Sequence, residues 1–556
     1  MNRNSKSHFS ATDNRINIGR STFDRTSWWK GTFSNGDLVP FYLDEVLPGD
    51  SFDMKTSVLC RMSTPIFPVM DNCYMDTYFF FVPLRLLWSN FRQFMGENDL
   101  NAWTPNVNYR KPSAMLGGAT SEPEDFSFTL VDYMGLPTYF SNVNASGTGE
   151  YIDVLPFRAY QLIWNEWFRD QNLQDPVLID KGDLLGQIHP DTDYIQLRKV
   201  NKFHDYFTSC LPQPQRGSAV LIPGFDGSVP VITGSRNSIS QSKPLIWDRV
   251  SNPSSTGNLS IRVTSDNAAG AYPLDGSSQA SLATTLAPNN LYVGSSSGVT
   301  IDALRAAFQV QKLLWRDGNG GSRYTELIRS HFGVVSPDAR QQRPEYLGGK
   351  RIPITMNQVI QQSATVDGVS PQGNTAAYSK TVDSFNGFQK SFTEHGLIIG
   401  VCCCRTDHTY QNGINRMWSR MDRLDYYFPE FAHLGETAVL NKEIFYNEND
   451  KELGNEVFGY QEAWAEYKHR PSFVTGAFRS NYHGGSLDAW HYADDYQTTP
   501  SLSSEWIAES ADNVNRTLAI QALDDNHDQF LVDFYFDLKT TRPMPVYSVP
   551  GLVDHF

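Results

Sequence analysis

The sequence predicts a mainly β protein, built as a sandwich with long ordered loops. Aromatic residues make up 13% of the 556 residues and charged residues only 19%, so a large apolar core can be buried. Thirty prolines and forty glycines interrupt the chain throughout and leave little continuous helical periodicity. Strands, helices and long loops do not alternate as in βαβ units, so one sandwich with excursions is favoured over a parallel sheet.

Short apolar runs bounded by turn residues predict the strands. Residues 40–62, "PFYLDEVLPGDSFDMKTSVLCRM", contain two such runs separated by Pro-Gly, which predicts strand, turn and strand. Residues 73–84, "CYMDTYFFFVPL", suit a buried strand, and residues 395–405, "HGLIIGVCCCR", predict another. The clearest strand is residues 530–540, "FLVDFYFDLKT", in which Phe, Val, Phe, Phe and Leu alternate with polar residues and Tyr.

Four stretches predict helices, and the last of them is residues 322–333, "SRYTELIRSHFG". The first is residues 84–96, "LRLLWSNFRQFMG", and the second is residues 156–170, "PFRAYQLIWNEWFRD". The second brings five aromatic side chains to one face: Phe157, Tyr160, Trp164, Trp167 and Phe168. The third is residues 301–318, "IDALRAAFQVQKLLWRDG", which Thr300 would cap and Gly318 would end. Its apolar stripe consists of Leu304, Phe308 and Trp315.

The composition divides the chain into four parts. Residues 1–35 are polar and basic, which predicts an N-terminal arm rather than a packed element. Residues 36–212 are predicted to be the first part of the core, with helical insertions. Residues 213–298 are rich in Ser, Gly, Thr, Asn and Pro but retain short β-like runs, which predicts a folded, exposed insertion. Residues 299–556 would add a helical insertion and the rest of the core.

The net charge of −15 argues against nucleic-acid binding over the whole surface and leaves only a local basic segment possible. The N-terminus has no apolar region typical of a secretory signal, and no apolar run is long enough for a membrane span. Six cysteines in a chain of this length do not form a disulfide framework, so we expect free thiols in a reducing cytosol.

Three motifs resemble chemical sites, and each has a simpler explanation. Cys402, Cys403 and Cys404 lie on a predicted strand, where alternate side chains face opposite ways, so core packing is favoured over a metal or nucleophilic role. Residues 294–298 match the G-x-S-x-G nucleophile motif around Ser296, but in a Ser/Gly-rich hinge. The acidic loop 523–530 could hold calcium, although a polar loop is favoured. We therefore predict no catalytic site, no metal site and no cofactor.

Longer stretches resemble the major capsid protein of the microviruses, small tailless single-stranded DNA phages, and specifically their gokushovirus branch. The resembling stretches are "FYLDEVLPGDSFDMKTS" (41–57), "RMSTPIFPVMDNCYMDTYFFFVPLRLLWSNFRQFMGEN" (61–98), "LPFRAYQLIWNEWFRDQNL" (155–173), "LRAAFQVQKLLWRDGNGGSRYTELIRSHFGVVSPDARQQRPEYLGG" (304–349) and "DQFLVDFYFDLKTTRPMPVYSVPGLVDHF" (528–556).

The resemblance implies a single eight-stranded jelly roll with long loop insertions, about sixty copies of which form a T=1 icosahedral shell. It also implies that residues 213–298 form a protrusion at the three-fold axes that serves in host attachment. The implied partners are further copies of the chain, a circular single-stranded DNA genome on the inner face, a scaffolding protein, minor virion proteins and a host-cell receptor. Assembly would take place in a bacterial cytoplasm, without membrane insertion.

The basic arm is then the candidate DNA-contacting element, because cations neutralise phosphates and aromatic faces stack on unpaired bases. Its candidate residues are Arg3, Lys6, Arg15, Arg20, Arg25, Trp28, Trp29 and Lys30. The two tryptophans could equally anchor the arm on a neighbouring subunit. Two other classes of protein stay open at this point. One is a secreted β-sandwich glycoside hydrolase or carbohydrate-binding protein, suggested by the twelve tryptophans, and the other is a phage tail or spike protein.

Overall fold

The structure, a computed structural model, describes residues 19–97, 109–117, 124–140, 151–183, 185–218, 220, 231–233, 247–249, 286–288, 291–293, 301–321, 323–335, 342–362, 365, 372–373, 375–519 and 528–547. The chain forms two compact units. One combines Met1–Pro214 with Val334–Phe556, and the other is Gln215–Gly333. The second unit begins near the predicted start of the insertion and extends beyond residue 298.

Eight long strands form the first unit's framework: β1 (Ser27–Phe33), β2 (Asp37–Val46), β3 (Ser51–Met62), β4 (Cys73–Pro83), β5 (Glu345–Pro353), β6 (Thr381–Ser391), β7 (Gly396–Thr406) and β8 (Phe530–Arg542). They pair antiparallel in two sheets, in the orders β1-β8-β3-β6 and β2-β7-β4-β5. This is the strand order of an eight-stranded jelly roll, so the predicted fold class is confirmed. Each sheet gains one short strand, Ser21–Asp24 beside β8 and Arg198–Lys199 beside β2.

The two sheets enclose an aromatic core. Along β8 every second side chain is buried, as its sequence alternation predicts, and these side chains meet those of β2 and β4. Phe41 stacks on Phe534 with ring centroids 4.3 Å apart and meets Phe79 edge-to-face at 5.3 Å. The predicted turn between β2 and β3 is also present, and Gly49 has a φ of +93° there, which favours glycine.

The second sheet is covered on its other face as well. Helix α1 (Leu155–Ile163) packs Phe157, Tyr160 and Ile163 against apolar side chains of β2, β4 and β7. The hydroxyl of Tyr160 donates to the Leu38 carbonyl over 2.7 Å. Strand β7 is therefore apolar on both sides, which explains why its sequence has no alternation.

The predicted helical stretches differ from the structure in their details. Residues 84–96 form two short helices, Leu84–Leu87 and Phe91–Phe94. Helix α1 passes at Trp164 into a π-helical turn, Trp164–Phe168, so Trp167 leaves the buried face and its indole donates to the Pro344 carbonyl over 3.0 Å.

The second unit contains helices α2 (Ile301–Asn319) and α3 (Tyr324–Phe332), neither of which has a fully buried residue. The predicted cap of α2, Thr300, lies outside the described residues, and the helix ends one residue after Gly318. The unit's described strands are Val231–Thr233 paired with Leu291–Val293, and Trp247–Arg249 paired with Leu286–Pro288.

The remaining elements are short. The other strands of the first unit are Ser113–Leu116, Glu124–Asp125, Tyr139–Phe140, Tyr151–Asp153, Leu185–Ile188, Met356–Ile360, Thr375–Ser379, Glu436–Leu440 and Val457–Glu462. Its other helices are Leu130–Tyr133, Asn441–Ile444, Lys451–Gly454, Ala465–Lys468, Ser504–Ile507 and Asp512–Asn515, with 3-10 turns at Asp193–Ile195, Arg416–Ser419, Arg423–Asp425, Pro429–Phe431, Gly476–Phe478 and Asp488–Trp490. Across the described ranges, no helix is both long and apolar enough to span a membrane.

The prediction that residues 1–35 are an unpacked arm is wrong from Ser21 onward. Ser21–Asp24 and β1 both pair with β8, and Phe33 enters the core. The physical reason is the open edge of β8, whose backbone N–H and C=O groups need partners. Residues 1–18, where the rest of the predicted arm lies, are outside the described part of the chain.

Candidate assembly and nucleic-acid interface

The cysteine triplet belongs to the core. Cys402 and Cys404 face the aromatic core between the sheets, whereas Cys403 faces the cluster under helix α1. Burial raises the pKa of Cys403 to about 12 and raises the pKa of Cys402 and Cys404 well above the usual value, so all three remain thiols. The predicted packing role is confirmed, because side chains that point to opposite faces of one strand cannot converge on one ion.

The other two motifs fall largely outside the described residues. Ser296 and residues 520–527 are not described. Asp528, at the end of the acidic loop, accepts a hydrogen bond from the Thr32 hydroxyl. Within the described ranges, no group of three or more His, Cys, Asp or Glu residues could hold a metal ion.

Two of the candidate DNA-contacting arginines are engaged within the subunit. Arg20 donates to the Gly49 carbonyl and to the Ser51 hydroxyl, the latter over 3.2 Å. The guanidinium of Arg25 binds both carboxylate oxygens of Asp44. This ion pair holds the segment before β1 against β2, so the charge of Arg25 has a structural role. Arg3, Lys6 and Arg15 lie outside the described residues.

Trp28, Trp29 and Lys30 alternate along β1. Trp29 points inward against the aromatic core, 5.9 Å from Phe534. Trp28 points outward, is 65% exposed, and lies 5.4 Å from the Tyr535 ring. The Lys30 ammonium, also exposed, binds the Asp533 carboxylate over 2.7 Å. Of the three, only Trp28 and Lys30 present surface that a ligand could reach.

The outer face of this sheet is balanced in charge. Asp537 on β8 lies opposite Lys55 on β3, and Lys539 lies opposite Asp53. Opposite charges on neighbouring strands stabilise the sheet but leave no excess cation to attract phosphate. The described part of the predicted arm is therefore a weaker nucleic-acid surface than its sequence indicates, because Arg20, Arg25 and Lys30 all have partners within the subunit.

A buried ionic cluster lies where β7 ends, and the sequence did not indicate it. His408, whose side chain is 2% exposed, directs Nδ1 at Asp494 Oδ1 over 3.1 Å and Nε2 at Glu509 Oε2 over 2.9 Å. Lys202 approaches Asp494 to 3.5 Å and lies 4.7 Å from the Trp506 ring. Two buried cations thus face two buried anions, so the cluster is neutral as a whole.

The cluster's electrostatics keep His408 charged. Burial alone would lower the pKa of His408, but the negative charges of Asp494 and Glu509 outweigh it and raise the pKa to about 10. Burial would conversely raise the pKa of Asp494, but the His408 and Lys202 charges hold it well below its usual range. Both ring nitrogens of a protonated imidazole are donors, so His408 has no lone pair for a metal.

The cluster connects separate parts of the chain. Glu509 Oε1 also accepts from Asn35 Nδ2 over 2.7 Å and from the Thr406 hydroxyl over 3.0 Å. The β1–β2 turn, the end of β7 and the segment before β8 are therefore joined through buried side chains. Local sequence patterns could not indicate these contacts, because the partners of His408 lie 86 and 101 residues away along the chain.

Residues 416–434, which we call the exposed loop, have large apolar side chains in solvent, whereas the cluster around His408 has charged side chains in the interior. Trp418 is 71% exposed, Met421 85% and Leu424 69%, and Tyr426 and Tyr427 are also exposed. Scattered exposed apolar residues are ordinary, but a contiguous patch of large ones marks a surface that binds another molecule.

The backbone of the exposed loop is nevertheless fixed. Arg420 Nη2 donates to Glu466 Oε1 over 3.1 Å, and the Trp464 indole donates to the Phe431 carbonyl over 2.9 Å. Asn415 accepts from the Met417 N–H at the first 3-10 turn, and the Asp425 carboxylate accepts from the Met421 and Asp422 N–H groups at the second. A preorganised loop loses little conformational entropy on binding, which favours association.

A jelly roll with buried thiols and a preorganised apolar loop is typical of a structural protein that packs against other chains. A family model described as "Capsid protein (F protein)" matches residues 13–552. The chain is 40% identical to capsid protein VP1 of Bdellovibrio phage phiMH2K, over 97% of each chain. It is also 40% identical to capsid protein VP1 of Chlamydia phage 1, over 96% of each, and of Spiroplasma virus 4, over 94% of this chain and 93% of that one.

The chain therefore belongs to this phage capsid protein family, and its relatives are proteins of microvirus-type phages. It is a structural protein of the virion and not an enzyme. The resemblance predicted from its longer stretches is confirmed. The alternatives of a secreted glycoside hydrolase or carbohydrate-binding protein, and of a tail or spike protein, are set aside by the same family match.

Proposed function

We propose that about sixty copies of this chain form a T=1 icosahedral shell around a circular single-stranded DNA genome. The observation that carries the proposal is the exposed loop, whose large apolar side chains are left in solvent while its backbone is held by Arg420 and Trp464. In a closed shell every copy contacts several neighbours through unlike surfaces, and such a loop supplies one of these surfaces.

The jelly roll supports the proposal because its core is formed within a single chain. Its core is closed between two sheets, and the second sheet is covered by helix α1 within the same chain. The loops between strands are then free to differ in shape and to make contacts, as in other proteins whose binding surfaces are carried by loops on a rigid framework.

In this proposal, different parts of the chain contact the genome and the host. The arm, with Arg3, Lys6, Arg15 and Arg20, would face the lumen and neutralise phosphates, with Trp28 and Lys30 exposed at its base. Residues 213–298 would form the protrusion at the three-fold axes and take part in host attachment. A scaffolding protein and minor virion proteins would take part in assembly in the host cytoplasm.

The mass of the assembled particle tests the proposal. Sixty copies of a 62.8 kDa chain give about 3,770 kDa, which sizing or negative-stain microscopy of purified protein separates from a monomer or a trimer. Nuclease treatment of the intact particles, followed by digestion of the protected nucleic acid, then identifies single-stranded circular DNA. Particles of another mass, or particles that protect no single-stranded DNA, would contradict the proposal.

A further inference from the structure

A second basic surface lies far from the N-terminus, in a protein whose net charge is −15. Residues 467–487, the basic segment, contain Lys468, Arg470 and Arg479 and no acidic residue. Three aromatic side chains of the segment are also exposed, Tyr467 by 53%, Phe473 by 60% and Tyr482 by 51%, while Phe478 is half-buried. Cations interleaved with exposed aromatic rings are the composition of surfaces that bind unpaired nucleic acid.

The basic segment forms one wall of a cleft of about 640 Å³. Trp418 of the exposed loop also lines this cleft, together with Tyr467, Phe473, Arg470 and Arg479. Aromatic faces and guanidinium groups therefore open onto the same space. A cavity of this size lies within the range of sites that hold small organic ligands.

The cleft is built on fixed backbone. The Tyr410 N–H donates to the Ser472 carbonyl over 2.9 Å, and the Val474 N–H donates to the Tyr410 carbonyl over 3.2 Å. The side chain of Gln411 exchanges two hydrogen bonds with Ser480, of 3.0 Å and 2.8 Å. Both halves of the basic segment are thus anchored on consecutive residues that follow β7.

The acidic side chains in the cleft walls have hydrogen-bond partners within the protein, whereas two of the arginines have no carboxylate partner among the described residues. Glu466 binds Arg420, whose guanidinium also lies 4.4 Å from the Tyr467 ring. The buried Glu443 accepts from the Leu440 N–H over 3.1 Å. Among the described residues, in contrast, no carboxylate pairs with Arg470 or Arg479, whose side chains remain available to an external anion. Arg470 lies 5.7 Å from the Phe473 ring, so a cation and an aromatic face are presented together.

We propose that this cleft binds the unpaired nucleotides of a single-stranded DNA, with bases against Phe473 and Trp418 and phosphates against Arg470 and Arg479. Unpaired bases expose faces that can stack on aromatic side chains, whereas the bases of a duplex are already stacked on one another. The inference rests on the proposed function, and it adds a site for the genome that is separate from the N-terminal arm.

Binding of fluorescein-labelled oligodeoxythymidylate to the full-length unassembled chain, followed by anisotropy over a salt series, tests the site. Phe473→Ala is expected to weaken binding about 5-fold or more, the loss of one stacked base, without changing the salt dependence. Arg470→Gln with Arg479→Gln is expected to reduce the slope of log affinity against log salt by about 1.4, since each phosphate contact on a single strand contributes about 0.7.

Matched controls are Tyr378→Ala and Lys451→Gln, which change an exposed tyrosine and an exposed lysine outside the cleft and are expected to bind as the unaltered chain does. Thermal unfolding verifies that each variant is folded. Unchanged affinity and slope in the cleft variants would overturn the inference, as would equal losses on a duplex of the same length. If the variants impair particle formation but not oligonucleotide binding, the cleft is a contact between copies and the inference is wrong.

The proposed function is tested separately by the particle's mass and its protected DNA. Particles of the expected mass that protect single-stranded DNA, together with cleft variants that bind like the controls, would leave the proposed function intact and remove only this site.

Discussion

The jelly roll and residues 407–519 lie in the same compact unit and differ in which side chains they bury and which they expose. In the jelly roll, apolar side chains face inward and the strands satisfy one another's backbone groups. In residues 407–519, a charged cluster around His408 is fully buried while Trp418, Met421 and Leu424 are in solvent. The second region also buries a small apolar cluster, but it leaves several large apolar side chains of a single loop in solvent.

The difference indicates a division of roles. The sandwich provides the main closed core, and the segments between β7 and β8 are held by a smaller apolar cluster, which includes Tyr410, Val439 and Phe458, and by the buried polar contacts around His408. Their exposed apolar side chains are then available for other molecules. Changes that break the polar contacts should therefore act on folding, whereas changes to the exposed side chains should act on assembly and binding.

The largest effect is expected when the buried cluster is broken. His408→Gln would leave Asp494 and Glu509 buried with only Lys202 to balance them, and removal of one partner from such a cluster typically destabilises a protein by about 3–5 kcal/mol. Thermal unfolding of the full-length chain measures this loss. The matched control is His189→Gln, which alters a half-exposed histidine at 3.2 Å from Glu124 and should change stability by less than about 1 kcal/mol.

The same cluster predicts a pH dependence with a definite sign. The pKa of His408 is raised to about 10 in the folded chain, above the value of about 6.5 for an unfolded histidine. Its stabilising contribution is complete below pH of about 6.5 and is lost as pH rises through the folded pKa. Asp494, whose pKa is lowered, contributes above pH of about 4 and loses its contribution as pH falls. The difference in unfolding temperature between the unaltered chain and His408→Gln should therefore shrink from pH 6 to pH 10; a difference that grows would contradict this account.

The sequence predicted the sandwich better than the loops, for physical reasons. Alternation within β8 is a local signal, and the structure has the same side chains buried. Strand β1 was missed because its apolar residues are few, with Trp28 and Lys30 on the outside, and because only the edge of β8 makes it a strand. The His408 cluster depends on partners remote in sequence, which local patterns cannot show. The exposed loop was not predicted, because its apolar residues follow neither helical nor strand spacing and the sequence alone does not distinguish them from core residues.

Assembly should be the next most sensitive property. Met421→Ser with Leu424→Ser should leave the subunit folded, since both side chains are exposed. Truncation of an interface residue that contributes to binding costs about 1 kcal/mol or more, so the double variant, at about 2 kcal/mol, should raise the concentration needed for shells to form about 30-fold. Leu178→Ser is the matched control, because this leucine is 89% exposed and lies outside the exposed loop. Particle yield by sizing is the measurement, and normal yield from the double variant would remove the loop from the interface.

The N-terminal arm should affect packaging but not the sandwich. Replacement of Arg3, Lys6 and Arg15 by Gln should lower the packaged DNA and make its retention less dependent on salt, because up to three phosphate contacts are lost; Arg20 is left unchanged since it donates to Gly49 and Ser51 of the sandwich. Lys451→Gln provides a control for the loss of charge elsewhere. Unchanged filling and salt response, or an arm found on the outer surface of the particle, would contradict the lumenal assignment.

Shortening the insertion should have a smaller effect on the sandwich. Replacement of residues 213–298 by a short Gly/Ser linker should change the free energy of unfolding of the jelly roll by about 1 kcal/mol or less, because loop-closure entropy grows slowly with length and all eight strands lie outside this range. Attachment to host cells should decrease in the same variant. Unfolding of the subunit would show instead that the insertion is part of the core.

The smallest effect is expected at the motifs that resemble chemical sites. Cys403→Ala removes one sulfur from a packed site under helix α1, which should cost about 1 kcal/mol and leave infectivity near that of the unaltered phage. Ser296→Ala should likewise leave infectivity unchanged, since the motif occurs in a Ser/Gly-rich hinge. Thiol labelling of the native chain provides an independent measurement: Cys402, Cys403 and Cys404 should react only after denaturation, because each is buried and protonated. Rapid labelling of Cys403 in native particles, or a large loss of infectivity in intact Ser296→Ala particles, would indicate a reactive site where packing alone is expected.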